Sequence, residues 1–317
     1  MLVIPSGAKR SRGIYAERFS FLRVTQRSRR QTEVIGGKRS FSPLPDQGEA
    51  GANLRQQIRR LVRVMPAEEV SAAIALRARD YSESDRIVTL LTREYGKLGG
   101  IAKGARKSRV RFERKLEPFS HVMLYFRRRP NGQLVFITRA EAAELPQFNL
   151  DDDLGRFALG SYMLELAEAL TSEEAEAAGA YGILTAALAT LCRHSPCAAV
   201  RQAFELKMLA WAGYGLEFGR CRTCRAPIEA TAQPAFFVPV HGAVVCSRCR
   251  PTVAAGAFRI ESRSAAALAH LGAIELDSTP KAEPAGADGA LAIARFIAGV
   301  LDRKLRSLKF LESMLPT

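Results

Sequence analysis

Tryptophan occurs once, histidine four times and cysteine six times in 317 residues. Each scarcity excludes something. His121, His194, His241 and His270 fall in different segments with no ligand spacing, so a histidine-built catalytic or metal centre has nothing to assemble from. Six cysteines in so long a chain do not make a disulfide scaffold. No apolar run approaches the ~18 residues of a membrane span. The first residues offer only Leu2 to Ile4 before polar residues begin, too short for the core of a signal peptide. The expectation is a soluble, cytoplasmic protein. The G-x-S-x-G and H-E-x-x-H signatures are missing, and Gly99, Gly100 and Gly104 lack the G-K-[ST] of a phosphate loop. With no catalytic constellation, the chain is not expected to be an enzyme.

Acidic residues are scarce in one part only. Residues 1–64 carry fourteen Lys and Arg against four Asp and Glu, a net of +10. Residues 65–139 carry sixteen against eight, a net of +8, and residues 140–317 carry seventeen against twenty, a net of −3. The +15 of the whole chain therefore resides in its first 139 residues. A surplus that local acids leave unneutralised points to phosphate. Residues 1–64 have no helical or strand periodicity and are rich in Arg, Ser, Gly and Gln, too little apolar surface to offset ordering entropy. They read as a disordered basic extension, with Met65 as the natural start.

Periodicity begins near Ser71. AAIALRARDY alternates after Ile74, with Leu76 and Ala78 on one face and Arg77 and Arg79 on the other. SESD makes a turn, and RIVTLLTREYG is a second strand closed by Gly96. In KLGGIA, Gly99 and Gly100 suggest a bulge or sharp coil. FSHVMLYFRR and QLVFITRAE flank an Asn131-Gly132 turn, a hairpin signal. Five short strands within residues 65–146 fit a small closed β-barrel, the OB-fold above others. Lys103, Arg106, Lys107, Arg109, Arg111, Arg114 and Lys115 crowd the stretch after the third strand, interrupted only by Glu113. Tyr81, Tyr95, Phe112 and Tyr125 are candidates for stacking on bases, with barrel core as the alternative for Phe112 and Tyr125.

From residue 147 the code is helical. LGRFALGSYMLELAEALTS follows the capping cluster Asp151 to Asp153, then AYGILTAALATLCRH, then a third helix opened at Pro196 and stopped by Gly213. SRSAAALAHLGAIEL and one long terminal stretch, ALAIARFIAGVLDRKLRSLKFLESML, complete the set. Between the third and fourth helices lie Cys221-Arg-Thr-Cys224 and Cys246-Ser-Arg-Cys249. Two CxxC knuckles supply four thiolates, the set for a tetrahedral Zn²⁺. Phe236 to Val238 and Val244-Val245 flank a Pro239–Gly242 turn, so a hairpin joins the knuckles. Four protein sulfurs leave no open position, which makes the site at 219–251 structural. Cys192 and Cys197 lack such spacing and read as core or near-surface thiols. The reading is an α+β multidomain protein: a basic extension, an N-terminal barrel, and a C-terminal helical domain with an inserted zinc knuckle. Barrel and zinc alone leave a DNA-handling protein and an RNA-binding or transcription-associated scaffold both open.

Five segments narrow this: LRARDYSESDRIVTLLTREYGKLGGIAKGARKSRVRF, LEPFSHVMLYFRRR, GYGLEFGRCRTCRAP, VVCSRC and RKLRSLKFLESM. Together they resemble the RecO family, bacterial mediators of DNA repair and recombination, from about Glu68 to Leu315. The resemblance implies single- and double-stranded DNA binding, annealing of complementary strands, and action with RecR to help load RecA on DNA coated by single-stranded-DNA-binding protein. It places the protein in the cytoplasm, on the nucleoid. The basic positions it implicates as a group are Arg77, Arg79, Arg86, Lys97, Lys103, Arg106, Lys107, Arg109 and Arg111. It also implies a helical-domain site for the acidic-hydrophobic tail of the single-stranded-DNA-binding protein, for which Arg201 and Lys207 are the candidates.

Overall fold

Five strands close a barrel: β1 (Glu69–Asp80), β2 (Arg86–Thr92), β3 (Gly96–Ala102), β4 (His121–Arg127) and β5 (Val135–Ala142), in the order β1-β2-β3-β5-β4 and back to β1. Neighbours are antiparallel except β3 and β5, which pair in parallel at Gly100–Val135 to Ala102–Ile137. Closure removes free sheet edges, and the order is that of an OB-fold. Alternation on β4 sends Val122, Leu124 and Phe126 inward, where they join Val88, Leu90, Leu98, Phe112 and Ile137. Each such side chain contributes about 1.5–3 kcal/mol on burial.

A computed structural model describes residues 67–108, 110–112, 116–129, 133–143, 148, 150, 153–173, 177–228, 233–252, 256–301 and 303–314. All belong to one folded unit, residues 59–317. The expectations for residues 1–64, Met65, Arg109, Glu113, Arg114, Lys115, the Asn131-Gly132 turn, Asp151 and Asp152 fall outside the described residues.

Two strand expectations are corrected. Leu76 and Ala78 do not share a face, because the β1–β2 register shifts between Ala75 and Arg77. The extra residue turns Leu76 onto the helical core while Ala78 packs on the barrel core. Gly99 and Gly100 form no bulge; both sit in the unbroken β2–β3 ladder. A Cβ on Gly100 would lie 2.6 Å from Ile137 Cδ1, and one on Gly99 2.8 Å from Leu134 Cδ2. Glycine there lets β5 close the barrel.

The helices are α1 (Leu154–Leu170), α2 (Ala178–Arg193), α3 (Ala198–Trp211), α4 (Ser262–Ala273), α5 (Ala287–Val300) and α6 (Arg306–Met314). Asp153 caps α1 by accepting from the amides of Gly155 and Arg156. Gly213, at φ 86°, follows the end of α3. Barrel residues Ile74, Leu76 and Leu91 continue into the helical core formed by Tyr162, Leu188, Phe204 and their neighbours. Between α3 and α4 a hairpin of β6 (Ala235–Val238) and β7 (Ala243–Cys246), plus β8 (Phe258–Ile260), makes a three-stranded sheet. The hairpin matches the sequence; β8, three residues long, left no pattern to read.

The long terminal stretch is two helices, not one. Glu165 on α1 holds the start of the second: its carboxylate accepts from the amides of Arg306 (3.0 Å) and Ser307 (2.8 Å) and from the Ser307 hydroxyl (2.5 Å). It is a cap for α6 from 141 residues away. Burial pushes the Glu165 carboxyl up, but the Ser307 and Arg306 donors outweigh it and hold the group below its ordinary value. The sign follows: the cap stabilises fully above the ordinary pH range of a glutamate and is lost as pH falls through the lowered folded value. Glu165→Ala should cost about 1 kcal/mol of stability at neutral pH. It should also flatten the acid limb of the stability–pH curve measured by urea denaturation. An unchanged acid limb would remove Glu165 from this role.

Candidate nucleic-acid interface and metal centre

Strand pairing assembles a groove on the outside of the barrel. Arg77 on β1 lies opposite Thr89 on β2, which lies opposite Gly99 on β3. Arg79 lies opposite Ile87, and Lys97 is two residues from Gly99 on the same outer side. The same pleat that buries Val88, Leu90 and Leu98 therefore presents Arg77, Arg79 and Lys97 together. With Leu134 they line a cavity of about 250 Å³, its far wall made by Glu168 and Glu173 of the helical domain. Arg77 pairs with Glu168 at 3.2 Å and remains 63% exposed, so water or a phosphate can replace that partner. Lys97 Nζ donates to the Glu168 carbonyl at 3.0 Å, capping the C-terminal turn of α1. Arg79 is exposed, with no side-chain partner among the described residues.

The remaining described basic candidates lie at the start of β2 and in the stretch after β3. Asp85 organises both: it accepts from Gly104 N at 2.9 Å, the leading cause of its carboxyl lying below the ordinary value. Arg106 reaches Asp80 at 3.5 Å and the carbonyls of Ser82 and Glu83. Arg111 donates to the Lys103 carbonyl at 3.1 Å. Lys103 and Lys107 are exposed. Arg86 is different: 12% exposed, it is held between Asp80 (3.0 Å) and Glu117 (2.5 Å) and braces the barrel. Of the aromatic candidates, Phe112 is wholly buried in the barrel core. Tyr95 packs edge-on to Phe126 with centroids 5.4 Å apart. Tyr125 lies outside the barrel core, with Arg139 3.6 Å over its ring and its hydroxyl donating to Glu141. Tyr81, 65% exposed, is open for stacking.

The four cysteines come together. Their Sγ atoms all lie within 4.8 Å of one another, with Cys224 and Cys246 3.8 Å apart. Sulfurs at ~2.3 Å from a tetrahedral zinc are about 3.8 Å apart, so the donor set and its spacing fit that ion. Burial raises the Cys221 thiol, but the amides of Cys224, Cys246 and Thr223 win and take it down to about 6. Cys249 is pushed up to about 12 by desolvation and by the neighbouring sulfurs. Four thiolates repel one another here unless a cation sits among them. His241 occupies the turn at the other end of the hairpin and takes no part in the cluster.

A third feature is a cavity of about 560 Å³ between α1, α3, α5 and α6. Ile297, Ala298, Leu301, Leu305 and Leu308 form its apolar wall, and Arg303, Lys304 and Lys309 its basic rim, with Glu312 the one acid among the described residues. Arg201 lies at the cavity, but its guanidinium serves Glu205 at 2.9 Å and covers the Tyr162 ring at 5.3 Å. Tyr162 donates to Glu205 at 2.6 Å, and its burial pushes the phenol well above the ordinary value. Lys207 lies away from the cavity and donates to the Gly272 carbonyl. Sequence reasoning missed Arg303, Lys304 and Lys309; the available signal was the interleaving of Leu301, Leu305 and Leu308 with cations in LDRKLRSLK.

Comparison with known proteins agrees with this arrangement. Residues 65–146 match the family model for the recombination protein O N terminal domain, and residues 151–309 that for its C terminal domain. The DNA repair protein RecO of Anaeromyxobacter dehalogenans is 36% identical over 251 residues, covering 77% of this chain and 95% of that protein. RecO of a Nocardioides species is 34% identical over 247 residues, covering 76% and 97%. RecO of Streptomyces coelicolor is 35% identical over 251 residues, covering 75% and 96%. Among the described residues no helix is long and apolar enough to cross a membrane. A barrel with a basic outer groove, a helical domain, a four-cysteine cluster and matches over most of its length agree: the chain belongs to the RecO family of DNA repair proteins.

Proposed function

We propose that this protein is a recombination mediator. It binds single- and double-stranded DNA, anneals complementary strands and, with RecR, helps load RecA onto DNA coated by single-stranded-DNA-binding protein. It acts by binding rather than by turnover, in the cytoplasm and on the nucleoid. The observation that carries the reading is the outer groove of β1–β3. Arg77, Arg79 and Lys97 stand there over a floor flattened by Gly99, beside exposed Tyr81 and the Lys103–Lys107 loop. That is the OB-fold face on which oligonucleotides lie, combining phosphate contact with stacking. Zinc is the proposed occupant of the cysteine cluster, and residues 65–146 and 147–317 are the proposed domains.

The α5–α6 cavity is the proposed seat of the acidic-hydrophobic tail of the single-stranded-DNA-binding protein. An apolar side chain fills the Leu301–Leu308 wall while carboxylates meet Lys304 and Lys309. The test is annealing of complementary strands coated with the cognate single-stranded-DNA-binding protein. The parent should accelerate it. Removing the tail from the coat should abolish the acceleration and leave annealing of bare strands intact. Lys304→Glu with Lys309→Glu should weaken tail-peptide binding at least about tenfold, as roughly 1.4 kcal/mol from two reversed rim charges. No acceleration by the parent on either substrate would reject the mediator reading.

A further inference from the structure

The helical half of the chain is acidic, yet its cations are not evenly spread. Residues 219–251 hold five arginines and one acidic residue, a net of +4, while the rest of residues 140–317 carries −7. The arginines follow the cysteines: Arg222 lies inside the first CxxC and Arg225 just after it, Arg248 inside the second and Arg250 just after it, with Arg220 before the first. We propose that the cysteine knuckle is a second nucleic-acid-binding surface, where Arg222 and Arg248 contact the phosphates of a strand other than the one held on the barrel. This rests on the DNA-binding reading above.

The five arginines divide by what they touch. Arg225 pairs with Glu217 at 2.7 Å, Arg250 lies 5.5 Å over the Phe236 ring, and Arg220 donates to the Arg225 carbonyl. Arg222 and Arg248 are exposed and have no side-chain partner among the described residues. Their backbones are held. Arg222 N donates to Val244 O at 2.9 Å, and the knuckle turns close through Arg225 N to Cys221 O (2.9 Å) and Cys249 N to Cys246 O (3.0 Å). Two cations on fixed turns lose little backbone entropy on meeting a phosphate.

Counter-charge for the metal is the competing explanation, since Zn²⁺ with four thiolates carries −2. It does not fit these two residues. Among the described hydrogen bonds, the sulfurs receive theirs from backbone amides and from each other, none from a guanidinium. Five arginines also exceed two charges, and the unpartnered pair faces solvent. Topology separates this surface from the first: the barrel docks on α1 and α2, whereas the sheet of β6–β8 packs against α5. An annealing protein has to hold two polyanions, and two basic surfaces on different elements do that without forcing both strands into one groove. Contact is to phosphate and indifferent to sequence, because the described residues of the knuckle carry their arginines on turns, with no α-helix to enter a groove.

The test is ultraviolet crosslinking of the full chain to a bromouracil-substituted single-stranded oligonucleotide, followed by peptide mapping. Zinc content is measured on every sample. In the parent, crosslinks should map to the knuckle as well as to the barrel. Arg222→Ala with Arg248→Ala should cut the knuckle crosslink about tenfold and reduce the salt slope of its yield by about 1.4, at 0.7 per phosphate contact. Barrel crosslinks should persist, and lysine at both positions should restore the knuckle yield. A parent whose knuckle peptides never crosslink overturns the proposal, as does a double variant that keeps zinc and crosslinks like the parent. Knuckle crosslinks without any on the barrel would instead overturn the groove reading and leave the knuckle surface standing.

Discussion

Replacing Arg77, Arg79, Lys103 and Lys107 together by alanine should lower single-strand affinity about a hundredfold at low salt and flatten its salt dependence by about 2.8, at 0.7 per contact. These four are chosen from the geometry. Arg79, Lys103 and Lys107 have exposed side chains, and Arg77, itself exposed, has one ion pair to give up, to the largely buried Glu168. Arg86 and Lys97 are left in place because each holds the fold: Arg86 between Asp80 and Glu117, Lys97 on the last turn of α1. Removing Arg86 should cost stability rather than DNA affinity alone, since it strips two carboxylates of their shared partner. The loss in the fourfold variant should be equal for unrelated sequences, because phosphate contact and stacking do not read bases. The measurement is a salt titration of oligonucleotide anisotropy on parent and variant. Both carry residues 1–64, so the contribution of that basic segment cancels in the comparison. An unchanged slope would move the DNA off this face of the barrel.

Loss of metal should have the other large effect. Cys221→Ser with Cys246→Ser should abolish zinc retention through purification and unravel the knuckle turns. The buried cluster under them is small, Cys221, Val238 and Val245, too little to replace the ion. Zinc binding in comparable small sites is worth about 10–16 kcal/mol, as much as the whole stability of a typical domain. Damage should nonetheless remain local. Phe237 stacks on Phe218 at 5.5 Å and meets Phe258 at 5.7 Å, and with Val244 and Ile260 it belongs to the main helical core. Hydrogen exchange should therefore rise at the turns around Cys221–Cys224 and Cys246–Cys249 while β6 stays protected. Elemental analysis finding no zinc in parent protein purified without chelator would refute the assignment. So would a double variant that keeps its metal.

Much of this molecule is readable one residue after another. Alternation gave the barrel strands, because a pleated strand in a closed barrel must bury every second side chain. CxxC spacing gave the metal cluster, because two residues between cysteines fix their sulfurs close enough to share an ion. Asp153 could be named as a cap because capping is a contact with the next few amides. What failed to show was whatever depends on a partner distant in the chain. The bulge that turns Leu76 onto the helices exists because β1 must serve two cores at once. Gly99 and Gly100 read as irregularity, and only the approach of Leu134 and Ile137 explains them as room for closure. Arg86 and Arg79 look alike in sequence; Glu117, thirty-one residues on, makes one a brace and leaves the other for solvent. The start of α6 is capped by Glu165, 141 residues back in the chain, and the apolar cavity with its basic rim is lined from both sides of the break before it. Local pattern states which face of an element is apolar. Which cation finds a carboxylate, and which stays free for phosphate, is decided when the elements pack.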